Sequence, residues 1–265
     1  MSAMQDGAKT IRLDLIMELT TRDFRERFAG SALGALWALI WPLVNLCIYM
    51  IIFSKLMGAR LPGHSDVYAY GVYLTAGLVP WTAFSGTLAR SAGIFVDKRH
   101  LISKVRVSLP SLLLYVNLAE TVTFLVGMGI FGIFLFASGH VVARHVVLVP
   151  YVYVVQQVLA FGLGLLFATL VVFLRDLREV VGVVLQLWFW LTPIVYLREI
   201  LPQGVQRLMI WNPACVLVES YQRIFVFHDA PHMPSLVVLT VVAHAVTLGA
   251  YMLFRALEKD IRDFL

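Results

Sequence analysis

The chain alternates long apolar blocks with short polar ones, and the block lengths decide what they are. A helix needs about 20 mostly apolar residues to cross a bilayer. Six blocks reach or approach that length: Ala32 to Phe53, Val67 to Ala89, Pro110 to Ala137, Val146 to Leu174, Val180 to Leu197 and Pro234 to Phe254. Each is expected to be a helix, because an open strand would leave backbone groups unpaired in lipid. A seventh block, Leu208 to Val218, is too short to span. It is broken by Asn212 and Pro213 and followed by Glu219 and Arg223, so it reads as a re-entrant or interfacial helix with Asn212 as its N-cap.

Two polar segments carry a pattern of their own. Between residues 11 and 28, Ile11, Leu15 and Leu19 recur every four residues and Phe24 and Phe28 follow. Glu18–Arg22 and Asp23–Arg27 stand at favourable i,i+4 spacing, which predicts an amphipathic helix on the membrane surface. Anchoring and the docking of a partner are both open to it. Between residues 93 and 109, Asp97, Lys98, Arg99, His100, Lys104 and Arg106 mix with Ile94, Phe95, Leu101, Ile102 and Val105. That is more chain than a connector needs, and it predicts a short helix presented either to a partner or to lipid headgroups.

Composition strengthens the membrane reading. The 265 residues are 60% hydrophobic and 14% charged, with mean hydropathy +0.83. Soluble domains are about 45–50% apolar and about 25% charged. The net charge of +5 does not point to nucleic acid, because the basic residues sit between apolar blocks and form no continuous face. With the N-terminus in the cytoplasm and six spans, fifteen Lys and Arg fall inside and six outside, the direction of the positive-inside rule. Making residues 208–218 a full span would put Arg255, Lys259 and Arg262 outside. The opening Met1 to Thr10 is polar, so the first span is expected to serve as an uncleaved insertion signal.

Signs of catalysis are missing from the sequence. It has no phosphate loop ending in Lys-Ser or Lys-Thr, no His-Glu-x-x-His and no Gly-x-Ser-x-Gly. Cys47 and Cys215 are far apart and build neither a disulfide framework nor a zinc site. His244, alone deep in the sixth span, reads as a helix-packing donor. Glu120 is the one carboxylate well inside a span; it must be paired, protonated or facing water. Asn117, one turn earlier, is a candidate partner, and Asn45 adds a polar group to the first span. Aromatics crowd the fifth span and beyond: Trp188, Phe189, Trp190, Tyr196, Trp211 and Tyr221. Interfacial anchoring is their simpler reading. Trp188 and Trp190 lie mid-block, however, and aromatic faces with a polar edge also suit a sugar path.

Taken in order, these segments resemble the transmembrane permease of ABC-type polysaccharide exporters, across about residues 11 to 262. Arg22-Asp23-Phe24, then Ser31 to Trp37 and Pro42-Leu43, match the approach to that family's first span. Leu101-Ile102-Ser103-Lys104-Val105 matches its cytoplasmic coupling helix, and Arg175-Asp176-Leu177-Arg178 its loop between spans four and five. Thr192-Pro193-Ile194-Val195-Tyr196, Leu201-Pro202, Asn212-Pro213 and Glu219-Ser220-Tyr221-Gln222-Arg223 match its extracytoplasmic re-entrant segment. Val107-Ser108-Leu109-Pro110 departs from the Phe-Pro-Arg-like step the family often has there.

The resemblance implies one all-α permease domain over residues 1–265 in the bacterial inner membrane, with both termini cytoplasmic. It implies a homodimer served by two copies of a separate ABC ATPase. ATP and magnesium would be held by that ATPase and no cofactor by this chain. Arg22, Arg25, Asp97, Lys98, Arg99, His100, Lys104 and Arg106 would dock the ATPase. Trp188, Phe189, Trp190, Tyr196, Trp211, Asn212, Glu219, Tyr221 and Arg223 would line the polymer path and an outer gate over residues 199–229. The cargo would be a lipid-linked polysaccharide, with O-antigen the leading choice. The alternatives are an ABC-type drug or lipid export permease, an ion-coupled flippase acting alone, and a membrane transferase, the last opposed by the lack of clustered loop carboxylates.

Overall fold

The computed structural model describes residues 13–27, 69–104, 108–140 and 143–264, with Trp37, Ile40, Leu43, Val44, Cys47 and Ile48. Most of the first expected span, Asn45 included, and Arg106 lie outside the described residues, and so do Ile11 and Phe28. The six positions described between 37 and 48 are helical. All regular structure among the described residues is helical: α1 (Leu13–Arg27), α2 (Ala69–Asp97), α3 (Arg99–Lys104), α4 (Leu109–Ala137), α5 (Val149–Phe173), α6 (Leu177–Trp190), α7 (Gln203–Met209), α8 (Pro213–Phe225) and α9 (Met233–Phe264). Among the described residues, three helices are long and apolar enough to cross a membrane: Leu109–Ala137, Arg144–Phe173 (α5 with the 3-10 turn before it) and Met233–Phe264. The protein is membrane-embedded.

α5 lies at the centre, against α9 on one side and α2 on the other, and α4 packs on α2. Small residues bring these helices close, as lipid-embedded packing favours. Gly162 of α5 faces the Thr247 backbone of α9, and Gly164 faces Ser91 of α2. The Thr247 hydroxyl donates to the Val158 carbonyl at 3.0 Å across the first of these crossings.

Two apolar cores stack end to end. One gathers Ile16 of α1, Phe95 at the end of α2, Leu109 and Leu112 at the start of α4, Val172 at the end of α5, and Phe254 and Ile261 near the end of α9. The other gathers the first half of α2, Phe131, Val152, α8 and Leu236. Consecutive long helices therefore run between the same two ends. The first end collects Arg22, Arg25, Arg90, Lys98, Arg99, Lys104, Arg175, Arg178, Arg255, Lys259 and Arg262.

Several expectations need correcting. The helix of the fifth block stops at Trp190 rather than running to Leu197. At 14 residues, α6 is about 21 Å long, short of a hydrocarbon core about 30 Å thick. Pro193 is the cause: it has no N–H to continue the ladder, and its ring opposes the carbonyl four residues earlier. The 93–109 segment is not one cytoplasmic helix. α2 runs on to Asp97 because Gly93, Ile94 and Phe95 are buried in the bundle, and only six residues form the separate α3. The buried face of α1 carries Ile16 and Thr20, with Leu15 and Leu19 at its edges, because this helix packs on α4. His244 lies on the exposed side of α9, 2.8 Å from the Thr240 carbonyl of its own helix, and among the described residues it bonds to no second helix.

Candidate functional site

At the basic end, α1 and the α2–α3 turn enclose a cleft of about 190 Å³ lined by Arg22, Asp23, Glu26, Asp97, Lys98 and His100. Four residues expected to dock an ATPase, Arg22, Asp97, Lys98 and His100, are thereby brought together. Arg25, Arg99 and Lys104 are exposed on the same end. Arg22 pairs with Glu26 at 2.6 Å, and that guanidinium holds the exposed Glu26 carboxyl below the ordinary carboxylate range. The Lys98 ammonium stands 6.0 Å over the ring of Tyr115, anchoring the turn to α4. Arg178, at the start of α6, reaches Asp97 at 2.8 Å. Its guanidinium passes over Gly93, where a Cβ would come within 2.9 Å of Cζ. The small residue there lets the start of α6 grip the turn closely; a larger one would make the Arg178 side chain shift.

Just inside that end, Arg90 of α2 bridges two carboxylates. Nη1 donates to Glu120 of α4 at 2.6 Å, and Nη2 donates to Asp23 of α1 at 2.6 Å. Gly86, one turn back, leaves the space that the Glu120 carboxylate fills. Asn117 is not the partner of Glu120; its amide donates to the carbonyl and the side chain of Gln157 in α5. In the sequence Arg90 counts only as one of the fifteen Lys and Arg on the inner side. A signal was there: Arg90 lies two turns before the end of α2 and Glu120 three turns into α4, so in antiparallel neighbours the two meet at similar depth.

The opposite end is built around the break after α6. Residues 191–197 form no helix, so their carbonyls need other donors. Tyr70 donates to Val195 O at 2.6 Å, and Tyr73 to Tyr196 O at 2.9 Å and Pro193 O at 3.1 Å. Gln222 of α8 also reaches Pro193 O, at 3.1 Å, and the Asn212 amide donates to Leu191 O at 3.1 Å. Asn212 is the N-cap expected from sequence: its Oδ1 accepts from Ala214 N at 3.0 Å and from Trp188 Nε1 at 2.7 Å. One side chain thus caps α8 and ties it to α6. Asn212→Ala is expected to cost about 1–2 kcal/mol for the cap, and to loosen residues 191–197 to hydrogen exchange before the rest of the bundle.

The expected path and gate residues fall into distinct settings. Trp188 meets Trp81 and Phe84 of α2 edge to face, and Phe189 packs at a tilt on Trp81, within the chain's own bundle. Tyr221 is fully buried, and its hydroxyl donates to Gln156 of α5, whose amide reaches Pro80 O of α2. Trp190 and Trp211 are 59% and 86% exposed, and the Tyr196 hydroxyl returns to Trp190 O. Glu219 pairs with Arg198 at 3.4 Å, and Arg223 with Asp229 at 3.2 Å. These two pairs edge a cleft of about 440 Å³ beside the non-helical residues 191–197, at the end opposite the basic one. Arg198, Arg90 and the two α2 tyrosines were not singled out from sequence.

Known proteins resemble this chain in sequence. The sequence profile of the ABC-2 type transporter family matches residues 14–226. The chain is 31% identical over 254 residues to the O-antigen export system permease protein RfbA of Myxococcus xanthus, covering 94% of each chain. It is 29% identical over 213 residues, 80% of each, to the protein of the same name from Klebsiella pneumoniae. With the polysialic acid transport protein KpsM of Escherichia coli the identity is 25% over 202 residues, 76% of this chain and 77% of that one. A match over most of the chain, from α1 through α8, and near full-length similarity to such permeases place this protein in the ABC-2 type transporter family, as a membrane permease of the ABC class.

Proposed function

We propose that this protein is the channel-forming subunit of an ATP-driven exporter that carries a lipid-linked polysaccharide, O-antigen first among the choices, from cytoplasm to periplasm. The basic end with α1 and the α2–α3 turn is the cytoplasmic face, by the positive-inside rule. Two copies of the chain form the path in the inner membrane, with both termini cytoplasmic. Two copies of a separate ATPase hold ATP and magnesium and dock at the 93–109 segment, with the 11–28 helix beside it. The region over residues 199–229 is the outer gate.

The observation that carries this reading is the shared cleft at the basic end, which joins α1 and the turn into one surface of alternating charge. Arg178 links that surface to α6, and Trp188 links α6 to the outer helix α8 through Asn212. A push on the turn therefore has a continuous, packed route to the gate. The export permeases among its relatives supply the cargo class.

The test is a gentle-detergent pull-down of the tagged permease from its native membrane, followed by charge reversal. Stoichiometric recovery of an ABC ATPase is expected with the wild-type chain. The double variant K98E/R99E is expected to insert normally, lose the ATPase and stop export. Normal export by that variant rules out docking at this turn. A permease that purifies alone across several detergents, with nucleotide present, favours an ion-coupled flippase instead.

A further inference from the structure

The outer cleft of about 440 Å³ has the size of a small-molecule site. Its charged lining is Arg198, Arg223, Glu199, Glu219 and Asp229: two guanidiniums against three carboxylates, a net charge of −1. Both guanidiniums already meet carboxylates, Arg198 with Glu219 and Arg223 with Asp229. Among the described residues, an anionic ligand would find no uncompensated cation here and an excess of negative charge. Carboxylates, by contrast, accept several hydrogen bonds each, and guanidiniums offer five donors, so the same lining matches the mixed donors and acceptors of sugar hydroxyls. Phe227, 43% exposed, adds an apolar face to one wall, suited to the C–H side of a pyranose ring.

The floor is fixed. Tyr73 and Gln222 are buried beneath it and held by the carbonyls of residues 193–196. A second cleft, of about 280 Å³, lies behind the first and shares Arg198, Glu219 and Arg223 with it. The Arg198–Glu219 pair stands between the two as a partition.

We propose that the outer cleft is a subsite for uncharged pyranose units of the exported polymer, and that its carboxylate excess disfavours acidic sugars. The inference rests on the exporter reading and narrows its substrate class. The experiment uses the full permease with its captured ATPase in nanodiscs, probed by saturation-transfer NMR at neutral pH. The probes are α-1,2-linked mannotetraose and an equal-length acidic oligosaccharide, tetragalacturonate. The wild-type complex is expected to give signal from the first and little from the second. Phe227→Ala is expected to cut the mannotetraose signal several-fold. The double variant E199Q/E219Q, which turns the lining charge from −1 to +1, is expected to gain tetragalacturonate binding, a result that misfolding does not produce. The proposal is overturned if the wild type binds the acidic probe as well as the neutral one, if it binds neither, or if Phe227→Ala changes nothing. ATPase recovery and export, read on the same preparations, report on the exporter reading separately; both can hold while the subsite fails.

Discussion

Replacing Arg90 with alanine is expected to cost about 3 kcal/mol, the low end of the range for stripping a buried ion pair of one partner. The variant leaves the buried Glu120 and the half-buried Asp23 facing each other without the guanidinium that bridges them. The low end applies because the Arg90 side chain keeps 26% of its exposure, so water can reach part of the gap. In thermal unfolding of the detergent-solubilised protein this is a drop of about 6–12 °C. The apolar double variant R90M/E120L is expected to recover the share of the loss that comes from Glu120 but not the share from Asp23, which stays charged and still loses the guanidinium. Glu120→Gln tests a different matter. Its amide can still accept from Arg90, so export is expected to survive with modest impairment. Complete loss of transport in a well-folded Glu120→Gln protein would instead give Glu120 the role of a proton carrier.

The second large effect is steric. A methyl group on Gly162 would lie 2.5 Å from the Thr247 hydroxyl, 2.8 Å from its backbone N and 2.9 Å from its Cα. Two of those atoms are backbone, so no side chain can swing aside and α9 itself must retreat from α5. Gly162→Ala is therefore expected to cost about 1–3 kcal/mol, with the Thr247–Val158 hydrogen bond lost in the same step. Gly249 lies on α9 two residues along, with nothing within 4 Å of a built Cβ. Gly249→Ala is the control, expected to be neutral or slightly stabilising through helix propensity. Equal destabilisation by the two variants would mean that the close α5–α9 approach is not what Gly162 provides.

Much of this architecture is legible in the pattern of apolar blocks. Pro110 to Ala137 and Val146 to Leu174 correspond to α4 and α5 within a few residues, and α9 runs past its block in both directions because its polar tail stays helical. Asn212 as a cap was readable because Asn-Pro before an apolar run has a local meaning. The end of α6 was not, although Pro193 marked it. Residues 191–197 are as apolar as the helix before them, and hydropathy does not register a missing N–H. What makes the break tolerable in lipid is Tyr70 and Tyr73, some 120 residues away in sequence. The Arg90–Glu120–Asp23 bridge is likewise a property of three helices at once. For α1, periodicity found an amphipathic helix, but the buried stripe follows the neighbour it packs on.

The way the outer turn is held limits how such permeases can be recombined. Residues 191–229 look like a cassette, a contiguous stretch that could be exchanged between relatives. Yet the carbonyls of that stretch are satisfied by Tyr70 and Tyr73 of α2, and Tyr221 is anchored on Gln156 of α5. A chimera that imports only the turn would strand buried carbonyls if the host helix lacks those hydroxyls. The unit that must travel in such an exchange is thus the turn together with the first residues of α2 and the middle of α5, and exchanges made along those boundaries are the ones expected to fold.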